Sequence, residues 1–181
     1  MQPTINSNFI NKTTAKYIND FLRPKAELNP KGLLNVYLTE IALNKNSDNF
    51  NDDLIKLMVE TVAENLGFEK DRVKLNRVNY QVLTEGQELG YHSDTDGAYE
   101  NTMGYEGYSA LIYLTDNYEG GEILFYDDNS GNIESATAYH PTAGTLIYFK
   151  GDSNYPHSVN KIVSGERANL ILFYDVNREN V

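Results

Sequence analysis

Residues 157–176 read HSVNKIVSGERANLILFYDV, and their parsing decides the fold. From Arg167 the apolar run has a two-residue period, with Asn169, Ile171 and Phe173 on one face, so it reads as a strand. His157 opens a shorter candidate strand, and Ser164-Gly165-Glu166 reads as the turn between the two. An arginine at the start of an apolar strand is expensive to aim inward unless it meets an anion. Two anions would serve: a carboxylate of the chain itself, giving a salt bridge, or a ligand carboxylate, which the guanidinium fork can grip bidentately.

Working outward, LLNVYLTEIAL (33–43), RVKLNRVNYQVL (72–83), YSALIYLTD (108–116), GEILFYDD (121–128) and GTLIYFK (144–150) are short, rich in tyrosine and β-branched residues, and separated by glycine or asparagine. Strands therefore dominate from about residue 33. Two helices precede or interrupt them. INKTTAKYINDFL (10–22) places Ile10, Ile18, Phe21 and Leu22 at helical spacing, with Asn11 or Thr13 as a cap. DDLIKLMVETVAENL (52–66) gathers Leu54, Leu57, Met58 and Val62 on one face and stops at Gly67. The expected architecture is a mainly β barrel or jelly roll buttressed on one side by helices. One domain over 1–181 is expected, with helical support over about 1–70 and the β core over about 75–176.

Composition excludes several chemistries. The 181 residues are 40% hydrophobic, enough for a core, and contain no cysteine, which removes disulfides, thiolate metal sites and a cysteine nucleophile. Any metal must be held by nitrogen and oxygen. A net charge of -11 with no basic cluster argues against nucleic acid as a partner. Neither a leader nor a membrane span is apparent, so a soluble, cytoplasmic protein is expected. The sequence specifies no oligomeric state.

There are three histidines. His140, before Pro141 in a turn, reads as a solvated surface residue. His92 lies in YHSDTD (91–96), where His92, Asp94 and Asp96 share one face of an extended segment. A lone H-x-D is a common surface pattern, and it needs a third ligand before it means metal.

Four blocks in order supply the context: GQELGYHSD (86–94), YLTDNYEGGEILFY (113–126), PTAGTLIYFKGD (141–152) and HSVNKIVSGERANL (157–170). Together they resemble the iron(II) and 2-oxoglutarate-dependent dioxygenase superfamily, in its prolyl-4-hydroxylase-like branch. The resemblance implies a double-stranded β-helix (jelly-roll, cupin-like) with Fe(II) held at its open end by His92, Asp94 and His157. Such a triad leaves three coordination positions free. It further implies that 2-oxoglutarate is the co-substrate, with Arg167 anchoring its far carboxylate and Tyr113 adding a hydroxyl. O2 would be consumed, succinate and CO2 released, and ascorbate could serve as an accessory. The carboxylate at Asp94 favours hydroxylation over halogenation, and Asp96 falls to a supporting or solvated role.

The chain departs from the family pattern in two ways. Many members carry a tyrosine where Val82 or Leu83 stands, leaving Tyr80 and Tyr91 as candidates to complete the pocket. The anchor is an arginine rather than the lysine of collagen-type members. The glycine-punctuated stretch 97–108, with Tyr99, Tyr105 and Tyr108, is expected to be a loop beside the metal that covers substrate. The resulting expectation is a hydroxylase of a prolyl residue in a peptide or protein. The alternatives are a small-molecule, free amino acid hydroxylase of the same chemistry and a noncatalytic jelly-roll binding module. A nucleic-acid demethylase would want a second arginine six residues after the first, where this chain has Phe173.

Overall fold

The computed structural model describes residues 2–38, 60–67, 69, 72–94, 105–128 and 131–177. The elements are strand β1 (Thr4–Asn6), helix α1 (Lys12–Leu22), then β2 (Glu27–Leu28), β3 (Leu34–Tyr37), β4 (Val73–Thr84), β5 (Leu89–His92), β6 (Tyr105–Tyr113) and β7 (Tyr118–Gly120). They continue with β8 (Ile123–Tyr126), β9 (Ala136–Tyr139), β10 (Leu146–Lys150), β11 (His157–Val159) and β12 (Ile162–Asn177). The larger antiparallel sheet runs β1-β10-β6-β12-β4-β3-β2, with β7 also paired to β12, and the smaller runs β5-β11-β8-β9. Late strands inserted between early ones give the wound topology of a jelly roll, the double-stranded β-helix expected from the sequence.

Strand β12 organises the molecule. It pairs with β4 on one side and β6 on the other, and its alternating side chains feed two cores. Ala168, Leu170, Leu172 and Tyr174 pack toward α1, meeting Ala15, Ile18 and Leu22 together with Val78, Val82 and Ile112. The opposite face of the sheet meets the smaller sheet, where Leu83, Leu111, Tyr113, Phe125, Ile147 and Phe149 form the second core. This sorting is the period of two made physical.

Helix α1 forms because Ala15, Ile18 and Leu22 recur on one side, and it starts where Asn11 accepts a 2.8 Å hydrogen bond from the Thr14 backbone N–H. Its end turns through Arg23–Lys25, and Arg23 forks onto Glu166 of β12 at 2.9 Å and 2.6 Å. The second expected helix is described only over residues 60–65, where Val62 is buried and Gly67 follows as anticipated. Leu54, Leu57 and Met58 lie outside the described residues.

Three expectations are corrected. The segment 1–70 carries strands besides the one expected at 33–43: β1 pairs with β10, and β2 pairs with β3 at the edge of the large sheet beyond β4. Segments as short as Thr4–Asn6 and Glu27–Leu28 hold too few residues to display a period. Ser164-Gly165-Glu166 is not a turn either, because β12 is continuous from Ile162 and the chain reverses at Asn160-Lys161. Gly165 adopts φ +80, and a Cβ there would lie 2.1 Å from the Asn117 carbonyl oxygen, so the glycine permits close strand approach rather than reversal. Finally, 105–108 begins strand β6, so Tyr105 and Tyr108 are strand residues; Asp96 and Tyr99 lie outside the described residues.

Candidate metal centre and anion pocket

His92 ends β5 and His157 opens β11, and the register of these strands sets the two histidines directly opposite each other. Their ring centroids are 4.3 Å apart. Asp94 follows two residues after His92, and its Oδ1 lies 3.8 Å from the Nε2 atom of each histidine. Donor atoms of the three residues fall within 4.8 Å of one another. Neighbouring donors about 2.1 Å from a shared ion lie about 3 Å apart, so small side-chain rotations would close the set.

The tautomers are fixed by geometry. His92 Nδ1 lies 2.7 Å from the Gly90 carbonyl oxygen and His157 Nδ1 lies 3.0 Å from that of Tyr155. A carbonyl only accepts, so both Nδ1 atoms carry a hydrogen, and both Nε2 atoms, turned toward Asp94, are the atoms available as ligands. Backbone orientation of this kind is how ligand imidazoles are held. Burial pushes the His157 pKa down, Asp94 opposes that shift, and His92 adds to it. The side chain is 6% exposed and wedged between Phe125 and Phe149, with ring centroids at 5.6 Å and 4.9 Å. Two neutral imidazoles and one carboxylate can hold a divalent cation, and a set with open positions is the donor pattern of non-haem Fe(II).

Arg167 is 1% exposed and no Asp or Glu lies within ion-pair distance of it among the described residues, so the salt bridge considered from the sequence does not form. Its Nη2 donates to the Tyr113 hydroxyl at 2.7 Å, its Nη1 lies 3.4 Å from Asn169 Oδ1, and its Nε has no partner. Burial raises the Tyr113 pKa against the opposing pull of Arg167, so the phenol stays protonated. Because Tyr113 accepts from Arg167, its own hydrogen remains for another acceptor. An uncompensated buried cation costs on the order of several kcal/mol, and a bound anion would offset that. One cleft of about 300 Å³ is lined by His92, Asp94, His157 and Arg167 together.

Sequence reading missed the wall between them. Asn35, Gln81, Asn169 and Tyr113 lie in one register row across β3, β4, β12 and β6. Asn79 also faces the cleft from β4. In RVNYQVL the alternation of Arg77, Asn79 and Gln81 with Val78, Tyr80 and Val82 resembles a solvent-facing strand, yet Asn79 and Gln81 are buried at 8% and 9% exposure. Leu83 occupies the inward position expected for the missing tyrosine. Tyr80 does not replace it: its ring lies in the helix-backed core, where its hydroxyl donates to Asn19 Oδ1 at 2.7 Å. Tyr91 does not either, being 44% exposed and packed edge-on against Tyr126. His140 is exposed and stacks near Tyr118, away from the triad.

A family model described as the 2OG-Fe(II) oxygenase superfamily matches residues 75–175. Among curated proteins, prolyl 3-hydroxylase 2 of Rattus norvegicus is 30% identical over 70 residues, which is 39% of this chain and 10% of that protein. The match thus spans about a tenth of the length of this curated relative. Among solved structures, the viral collagen prolyl hydroxylase vCPH from Paramecium Bursaria Chlorella virus-1, as its 2OG complex, superposes with a TM-score of 0.69 at 16% identity, covering 97% of this chain and 96% of that one. A Pseudomonas putida prolyl-4-hydroxylase superposes with a TM-score of 0.67 at 16% identity, covering 98% and 93%. At these identities the structural likeness is one of fold.

Proposed function

Since the chain belongs to the 2OG-Fe(II) oxygenase superfamily, whose model spans more than half of it, we propose that it is a dioxygenase that hydroxylates a prolyl residue in a peptide or protein. His92, Asp94 and His157 hold Fe(II), and Arg167 with Tyr113 holds the far carboxylate of 2-oxoglutarate. When bound, iron and 2-oxoglutarate supply the reduction of O2 that places one oxygen in a substrate C–H bond and the other in succinate, with loss of CO2. The protein's own part is positional. The carbonyls of Gly90 and Tyr155 orient the imidazoles, Phe125 and Phe149 exclude water from the inner histidine, and the buried guanidinium draws the co-substrate into one register.

The observation that carries this reading is the placement of a buried, carboxylate-free Arg167 in the same cleft as a histidine-carboxylate triad. Residues 1–181 are taken as one catalytic domain, because α1 and the N-terminal strands share the core of the catalytic strands. Position C4 of the proline ring is the first to test, and similarity to a prolyl 3-hydroxylase makes C3 the competing outcome. The test is aerobic incubation with Fe(II), 2-oxoglutarate and ascorbate over a panel of proline-containing peptides, following succinate and a one-oxygen mass gain. Succinate formation with hydroxylated peptide is expected. Absence of Fe(II) binding by titration together with absence of succinate would overturn the proposal.

A further inference from the structure

The cleft is cationic in an acidic chain. The sequence holds 26 Asp and Glu against 15 Lys and Arg. Yet among the described residues the cleft is lined by Lys31, Arg77 and Arg167 against Asp94 alone. With Asp94 turned to the metal and Arg167 to 2-oxoglutarate, Lys31 and Arg77 remain. Neither has a carboxylate partner among the described residues. Arg77 is held in place, its guanidinium lying over the Phe173 ring at 4.1 Å from the centroid, which leaves its N–H edge for a ligand. Deeper along β4, in order, come Asn79 and Gln81, whose Oδ1 and Oε1 atoms are buried without a protein partner. Buried acceptors of this kind call for a donor from whatever fills the cleft.

We propose that the β4 wall selects the substrate, with Asn79 and Gln81 accepting from its N–H or O–H groups and Arg77 with Lys31 taking a carboxylate that it carries. The inference rests on the dioxygenase reading and deepens it. The carboxylate has two chemical sources: an acidic side chain beside the modified residue of a peptide, or the α-carboxylate of a free amino acid. Lys31 and Arg77 are exposed at the opening, so water solvates them in the free protein and a substrate carboxylate adds selectivity rather than relieving a buried charge.

The experiment compares acetyl-Pro-Glu-amide, acetyl-Pro-Gln-amide and acetyl-Pro-Lys-amide, with free proline and free glutamate as the second arm. Succinate released above the substrate-free rate is the readout. The expected result is a KM for the carboxylate-bearing members about tenfold or more below that of their neutral and basic counterparts. Glutamyl peptide activity assigns the side-chain source, and free amino acid activity assigns the α-carboxylate. The charge reversal Arg77→Glu is expected to transfer preference to the lysyl peptide, an effect that mere loss of packing would not give. Gln81→Leu is expected to raise the KM for the preferred substrate without changing the preference for charge. Equal use of all members by the wild-type protein, or a preference that survives Arg77→Glu, overturns the inference. So does substrate-free succinate formation with no carboxylate-bearing member accepted. Failure of the dioxygenase reading is recognised separately, because the wild-type protein would then form no succinate even without substrate and would bind no Fe(II).

Discussion

Arg167 is a buried charge that meets no carboxylate among the described residues. A guanidinium at 1% exposure whose shortest hydrogen bond goes to a tyrosine hydroxyl is stabilised by little else in the chain. Replacing it with a packed apolar residue should therefore cost little stability while removing the anchor. For Arg167→Met the expected result is an unfolding temperature without ligand no lower than that of the wild type, and a strongly raised 2-oxoglutarate requirement. Saturating 2-oxoglutarate at about 100 times its Kd should stabilise the metal-loaded wild type by ~2.7 kcal/mol, or roughly 5–10 °C, and the variant hardly at all. Thermal scans with and without 2-oxoglutarate check this. At the metal, Asp94→Ala should abolish Fe(II) binding and turnover, because two imidazoles retain the ion poorly; titration of Fe(II) under anaerobic conditions measures it. Retained binding would transfer the carboxylate role to Asp96. Arg167 was legible as a charge at the start of an apolar strand, and His92, Asp94 and His157 were legible only through the family resemblance of the four blocks. Asn79 and Gln81 were not, since an alternating polar row reads the same whether water or a cleft lies beyond it.

At the scale of elements, the ion pair between Arg23 and Glu166 ties the end of α1 to the central strand. Hydrogen bonds from Arg23 are the main cause that lowers the Glu166 pKa from its ordinary 4.5, with partial burial opposing them. A carboxyl whose folded value is lowered stabilises above its unfolded value and loses that contribution as pH falls through the folded one. Glu166→Gln should thus lower the unfolding temperature near neutral pH, by at most about 2–4 °C because both partners are partly exposed. The difference should vanish as pH falls from roughly 5 to 3, which melts at a series of pH values would record. The turn between β7 and β8 makes a different demand. Gly121 has φ +68, and a Cβ there would lie 2.4 Å from Ile162 Cδ1 and 3.2 Å from Arg167 Cδ. Gly121→Ala should cost about 1–3 kcal/mol and weaken 2-oxoglutarate use together, since strain at the turn is passed to the anchor. Helix α1 and the long strands were readable from periodicity, whereas β1, β2 and the true reversal at Asn160-Lys161 were not, because short pieces acquire their identity from the strands they pair with.

At the scale of the molecule, one sheet divides two jobs: its helix-backed face holds an apolar core, while the face toward the smaller sheet opens into the cleft. Truncation on the apolar face should be costly without touching chemistry. Leu170→Ala, at 0% exposure among β12, β4 and β6, is expected to lose about 2–5 kcal/mol while leaving the 2-oxoglutarate KM of the folded protein unchanged, as denaturant melts and kinetics would show. Sequence reading alone reached the mainly β architecture, the capped helix and the two-faced central strand, and it named His92, Asp94, His157, Arg167 and Tyr113 as candidates. It could do so because period, capping and residue type are local properties, and because four blocks in order carry a family likeness. Packing alone set His92 against His157 across two strands, left Arg167 without a carboxylate partner among the described residues, and turned Asn79 and Gln81 into a cleft whose opening carries the exposed Arg77. Those facts depend on strand register and sheet curvature, which are set by the packing of distant segments and leave no trace in any one stretch of residues.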